Sequence, residues 1–168
     1  MPTFHVSFNV SNIKVKSTDS GYFNVFQLTK PGTSTPGQYG FFIAAMFFRR
    51  PQNTFIVIAD RNGKSRDFSG LKNDDIKIEK TVQTRETTVF KGPFQFEFIQ
   101  KQDKNGAFVI TITMNGITVV QEINSKPLTV KDAELWVSYP SHPALDAEIH
   151  DFKLHTGKNS TYFKMKEF

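Results

Sequence analysis

No stretch of eleven or more residues in this chain keeps its apolar side chains at helical spacing, whereas two-residue alternation of apolar and polar side chains recurs throughout. A segment with that pattern can bury one face only as a strand, so the chain is expected to be almost entirely β. Phe4, Val6, Phe8 and Val10 alternate with His5, Ser7 and Asn9. Ile13 to Val15, Tyr22 to Leu28, Tyr39 to Phe48, Thr54 to Ala59, Ile76 to Gln83 and Phe94 to Gln100 read as further strands. Leu135 to Ser138 and Ala147 to Leu154 complete the set. In the last of these, Ile149 and Phe152 are out of phase by one residue, which predicts a bulge or twist near His150 and Asp151.

The sharpest local signal is AFVITITMNGITVVQEI. Asn115-Gly116 is the favoured dipeptide for a type I′ turn, whose two central residues both need positive φ. A two-residue loop there pairs Met114 with Ile117, Ile112 with Val119, Ile110 with Gln121 and Phe108 with Ile123. The preceding connection, KQDKNG, behaves differently. A two-residue Asn105-Gly106 loop would set Phe98 opposite Thr113, on the wrong face. An odd-length loop of about three or five residues instead sets Phe98 opposite Ile110 and Phe96 opposite Ile112. A longer loop is therefore expected here and a tight one at Asn115-Gly116.

About eleven short antiparallel strands, with turn signals every eight to twelve residues or so, predict a two-sheet antiparallel β-sandwich or jelly roll. At 168 residues the chain suits a single domain, with 155–168 as either an extra strand or a mobile tail. Eighteen Phe against one Trp point to a thick β core, because Phe joins strand propensity to large apolar area without a polar handle. The absence of cysteine removes disulfides and thiolate metal sites and favours a reducing compartment. The N-terminus has no recognisable signal peptide, so a cytoplasmic location and secretion by another route both stay open. The net charge of +5 permits attraction to polyanions, but lysines and arginines are scattered as pairs such as Lys14/Lys16 and Arg49/Arg50. This spread reads as solvated surface rather than a nucleic-acid footprint.

The chain contains no G-x-S-x-G elbow, no H-E-x-x-H and no P-loop lysine. His5, His142, His150 and His155 read as surface histidines, and no metal or cofactor is expected. Sandwich glycosidases use two carboxylates about 5 to 9 Å apart. Glu97 projects away from the Phe94/Phe96/Phe98 face, with no second carboxylate two or four residues along its strand. A non-enzymatic protein is the expectation.

FFIAAMFFRR, residues 41–50, is apolar on both faces before its two arginines. A membrane span needs about 20 apolar residues, so this segment cannot cross one. It fits a strand covered on both sides, or one whose second face is a recognition surface. Phe41, Ile43, Ala45 and Phe47 would share one face, and Phe42, Ala44, Met46 and Phe48 the other.

The segment FKGPFQFEFIQKQDKNGAFVITITMNGITVVQEI resembles the galectin pattern F-x-x-G-x-x-F-x-F-x-I, followed by a strand ending in V-N-G and then a strand of the form h-x-x-x-F. MFFRR followed by FIVIAD resembles in register the galectin run H-F-N-P-R and its next strand. The resemblance covers roughly residues 3 to 154. It implies a galectin-like jelly roll whose concave face binds carbohydrate. Phe47 and Arg50 match the motif, whereas Met46, Phe48 and Arg49 stand where the family has His, Asn and Pro. Asp60 falls near the Asn of the following strand, and Phe68 near the stacking Trp. The implied protein is a lectin of altered specificity, holding a glycan or glycoconjugate through Phe48, Arg50, Asp60 and Phe68. The alternative is a structural protein that self-associates through apolar strands as a homo-oligomer.

Overall fold

The computed structural model describes residues 3–29, 41–62, 74–77, 82–83, 87–127, 134–136, 143–156 and 164–166. They form β1 (Phe4–Lys16), β2 (Gly21–Thr29), β3 (Phe41–Arg50), β4 (Thr54–Asn62), β5 (Asp74–Lys77), β6 (Val82–Gln83) and β7 (Thr87–Phe90). Then follow β8 (Phe94–Gln102), β9 (Phe108–Met114), β10 (Ile117–Asn124), β11 (Glu134–Trp136), β12 (Asp146–His155) and β13 (Lys164–Lys166). One sheet runs β10-β9-β8-β1-β7-β6, with β12 also paired to β1; the other runs β13-β11-β2-β3-β4-β5. Strand pairing is antiparallel except between β11 and β13. No helix among the described residues is long and apolar enough to cross a membrane.

β1 organises the first sheet. Phe4 to Val10 pair with β8 and Ile13 to Lys16 pair with β7, while β12 lines its opposite edge. At the hand-over Asn12 has φ 52° and donates its N–H to Lys91 O at 3.0 Å. The extra residue changes the phase of β1, so the buried set runs Phe4, Val6, Phe8, Val10 and then Ile13, Val15. Gly92 faces this bulge with φ 67°. A Cβ there would lie 2.8 Å from both Val10 O and Phe94 N, so only glycine fits.

The two sheets share one hydrophobic core, and Phe–Phe contacts bridge them. Phe8 meets Phe26 edge-on at 4.7 Å, Phe55 meets Phe96 at 5.0 Å and Phe48 meets Phe90 at 5.9 Å. Such pairs add about 0.5–1.5 kcal/mol each beyond the area they bury. This is where the phenylalanine excess is used.

Asn115 and Gly116 have φ 51° and 77°, and Met114 pairs with Ile117, as the turn chemistry requires. The rest of the expected β9–β10 register is corrected. A bulge between Thr118 and Val120 sets Ile112 opposite Val120 and Val109 opposite Ile123. Val120 thereby enters the core and Ile123 leaves it. The β8–β9 connection is a five-residue loop, closed by the Gln102–Phe108 pair. Phe98 lies opposite Ile112 and Phe96 opposite Met114, two residues from the expected partners but on the expected face. Asp151 has φ 54° at an irregularity between the Ser7–Lys153 and Asn9–His150 pairs, where β12 was expected to bulge. Ile76 to Gln83, expected as one strand, contributes β5 to one sheet and β6 to the other.

Candidate functional site

β3 is buried on both sides, and its register decides which residues face which way. Ala44, Met46 and Phe48 join the shared core, whereas Ala45 and Phe47 form a separate apolar cluster with Ile56 of β4; Ile43, expected on the Ala45/Phe47 face, instead joins the shared core, where β2 and β3 shift register between the Leu28–Ala44 and Thr29–Phe42 pairs. The face implied for sugar contact, that of residues 46 and 48, is therefore the core face. Phe48 is 0% exposed, with its ring 5.2 Å from that of Phe55, and it cannot stack on a ligand. This corrects the expectation for Phe48. Side-chain direction has period two, so a slip of one residue in aligning MFFRR exchanges the two faces.

Arg50, at the end of β3, is half-buried and committed to two protein oxygens. One terminal nitrogen donates to Asn53 Oδ1 and the other to Lys16 O at 3.1 Å. Lys16 belongs to the β1–β2 turn, where Lys16 N–H donates to Asp19 Oδ2 at 2.6 Å and Asp19 N–H donates to Lys16 O at 3.1 Å. Arg50 thus ties the β3–β4 turn to the β1–β2 turn. Asp60 lies in β4, with its side chain outside the described residues; Phe68 lies outside them altogether.

Beside the tied turn opens a cleft of about 420 Å³. Phe23 and Leu145 supply apolar surface over the buried Val15, and Lys14, Lys16, Asp19 and Asp146 supply charge, with Thr87 also in the lining. β-pairing brings these residues together. Lys14 stands opposite Asp146 on β12, and Lys16 stands opposite Thr87 on β7. Asn24 N–H donates to Pro143 O at 2.8 Å and Leu145 N–H donates to Asn24 O at 2.9 Å, which clips the Leu145 wall onto β2. Sequence reasoning missed this site, because its parts are separated by tens of residues and Lys14/Lys16 look like ordinary scattered charge.

The outer face of the first sheet is a polar ladder. His5 Nε2 lies 3.3 Å from Glu97 Oε1, and Thr113 Oγ1 donates to Glu97 Oε2 at 3.3 Å. Further along, Ser11 Oγ lies 2.8 Å from His150 Nε2, Asn9 Nδ2 donates to Asp151 Oδ2 at 3.1 Å, and Asn12 Nδ2 donates to Glu148 Oε2 at 3.0 Å. These contacts stitch β12 and β8 to β1, and β9 to β8. Among the described residues, no three His, Cys, Asp or Glu side chains are grouped as a metal ion would need. His142 lies outside them.

No family model matches the chain, and no curated protein or solved structure is significantly similar to it.

Proposed function

We propose that this protein is a non-enzymatic, carbohydrate-binding β-sandwich of galectin-like jelly-roll form and altered specificity, and that its glycan sits in the cleft beside the β1–β2 turn. The amphipathic lining of that cleft carries the proposal. A pyranose ring presents apolar C–H surface and a rim of hydroxyls that donate and accept. Phe23 and Leu145 answer the first, and Lys14, Lys16, Thr87 and Asp146 answer the second. The cleft volume lies within the range of small-molecule sites, roughly 300–1,000 Å³. Asp19 already accepts a bond from its own turn, so it acts as scaffold rather than as a free carboxylate.

An array of neutral and acidic glycans, followed by calorimetry on any hit, tests the proposal. Phe23→Ala should weaken binding by about tenfold or more, equivalent to about 1.4 kcal/mol. A blank array, or a hit indifferent to Phe23→Ala, sinks it.

One observation favours self-association as a second reading. Ile117 and Ile123 of β10 are 70% and 64% exposed, and β10 ends the strand order of its sheet. Solution mass that rises with protein concentration, and falls back in an Ile117→Lys/Ile123→Lys variant, would support it. A monomer at every concentration would remove it.

A further inference from the structure

We infer that Arg50 is a positioning residue for the cleft: without lining it, Arg50 holds the Lys16–Asp19 turn in the shape that does, and Asn53 holds Arg50. The inference rests on the glycan reading of the cleft for its functional consequence, and on hydrogen bonds alone for its structural part.

Two of the cleft's four charged residues, Lys16 and Asp19, sit on a single turn. Both backbone polar groups of Lys16 are used to shape it. Its N–H is bound by the Asp19 carboxylate, and its carbonyl accepts from Asp19 N–H and from Arg50 Nη2. The Asp19 bonds lie within the turn and resist only its opening. The Arg50 bond comes from another strand and fixes where the turn sits against the sandwich. Arg50 is placed for this by β pairing, since it stands opposite Gly21, the first residue of β2. Its own direction is set by Asn53 Oδ1, in a turn where Asn53 has φ 55°.

The planar guanidinium matters here. Its rigid fork can donate to Asn53 and Lys16 at once, whereas a lysine ammonium is a single point on a flexible stem. Neither Arg50 nor Asn53 contributes to the cleft lining. An effect of Asn53 on ligand affinity would therefore have to travel through Arg50 and the turn.

The test uses calorimetric titration of the full chain with lactose, cellobiose, maltose, N,N′-diacetylchitobiose and a heparin disaccharide. Amide hydrogen exchange at Lys16 and Asp19 is measured in parallel, without sugar. Arg50→Ala should lower affinity for the best-binding sugar about tenfold, and Asn53→Gly about threefold. Glycine tolerates the positive φ at that position, so Asn53→Gly removes the side-chain bond without adding backbone strain. Arg50→Lys should fall between native and Arg50→Ala. Exchange at Asp19 should quicken in the order native, Asn53→Gly, Arg50→Ala, while the thermal midpoints stay well above the titration temperature. If Phe23→Ala abolishes binding but Arg50→Ala and Asn53→Gly keep native affinity, the positioning role is overturned and the glycan reading stands. If no sugar binds the native protein, the glycan reading fails. Unchanged exchange at Asp19 would then overturn the positioning role as well.

Discussion

The first sheet and strand β3 of the second sheet treat their two faces in opposite ways. On β1 and β8, Phe8, Phe96 and Phe98 are buried while Asn9, Gln95 and Glu97 face outward and meet polar partners or water. On β3, residues 43 to 48 are all buried, whichever way they point. A half-solvated strand announces its phase, because a polar residue turned inward would be left without hydrogen-bond partners at a cost of about 1–3 kcal/mol. A strand buried on both faces loses that signal. Placing Phe48 outward and Phe47 inward violates no polar rule, so the two orientations of β3 are equally acceptable to its own sequence.

The largest effect expected from this contrast separates two adjacent residues. Phe48→Ala opens a cavity in the shared core and should cost about 3–5 kcal/mol, whereas Phe47→Ala, which among the described residues clusters with Ala45 and Ile56 on the other face, should cost about 2 kcal/mol. Denaturant unfolding of both variants measures the difference. Equal costs, or the reverse order, would break the assignment of faces.

A smaller effect probes the point where β1 changes phase. Gly92→Ala must place a methyl against Val10 O and Phe94 N at positive φ, and should destabilise by about 2 kcal/mol. A thermal midpoint equal to that of the native protein would show that the bulge can relax. At the polar extreme, Glu97→Gln changes a side-chain contact with His5 whose members are both about a third exposed. It should shift stability by less than about 0.5 kcal/mol, and a larger loss would mean that the ladder carries more of the fold than its exposure implies.

Asn115-Gly116, the odd-length loop before Phe108 and the irregularity at Asp151 all leave local marks: a turn dipeptide, a phase mismatch and a phase break. The β10 bulge leaves none, because Val119 and Val120 are adjacent and equally apolar, and either could enter the core. The same ambiguity at FFIAAMFFRR misplaced Phe48. Arg50 was expected to hold a ligand; the contacts the structure gives it are with Asn53 Oδ1 and the Lys16 carbonyl. A backbone carbonyl has no letter in a sequence, so that contact could not be anticipated.

The all-β character, the tight and long turns, and the faces of strands that keep one side in water are legible in the residue pattern alone. Each of these is set by neighbours within a few residues and by the cost of burying polar groups. Which face of β3 points to the shared core, where β10 shifts register, and the gathering of Lys14, Lys16, Asp19, Phe23, Thr87, Leu145 and Asp146 around one cleft are settled by packing between distant strands. Those outcomes depend on contacts between residues up to about 130 positions apart. Period-two alternation says that a side chain has a face, but the partner sheet alone determines what that face meets.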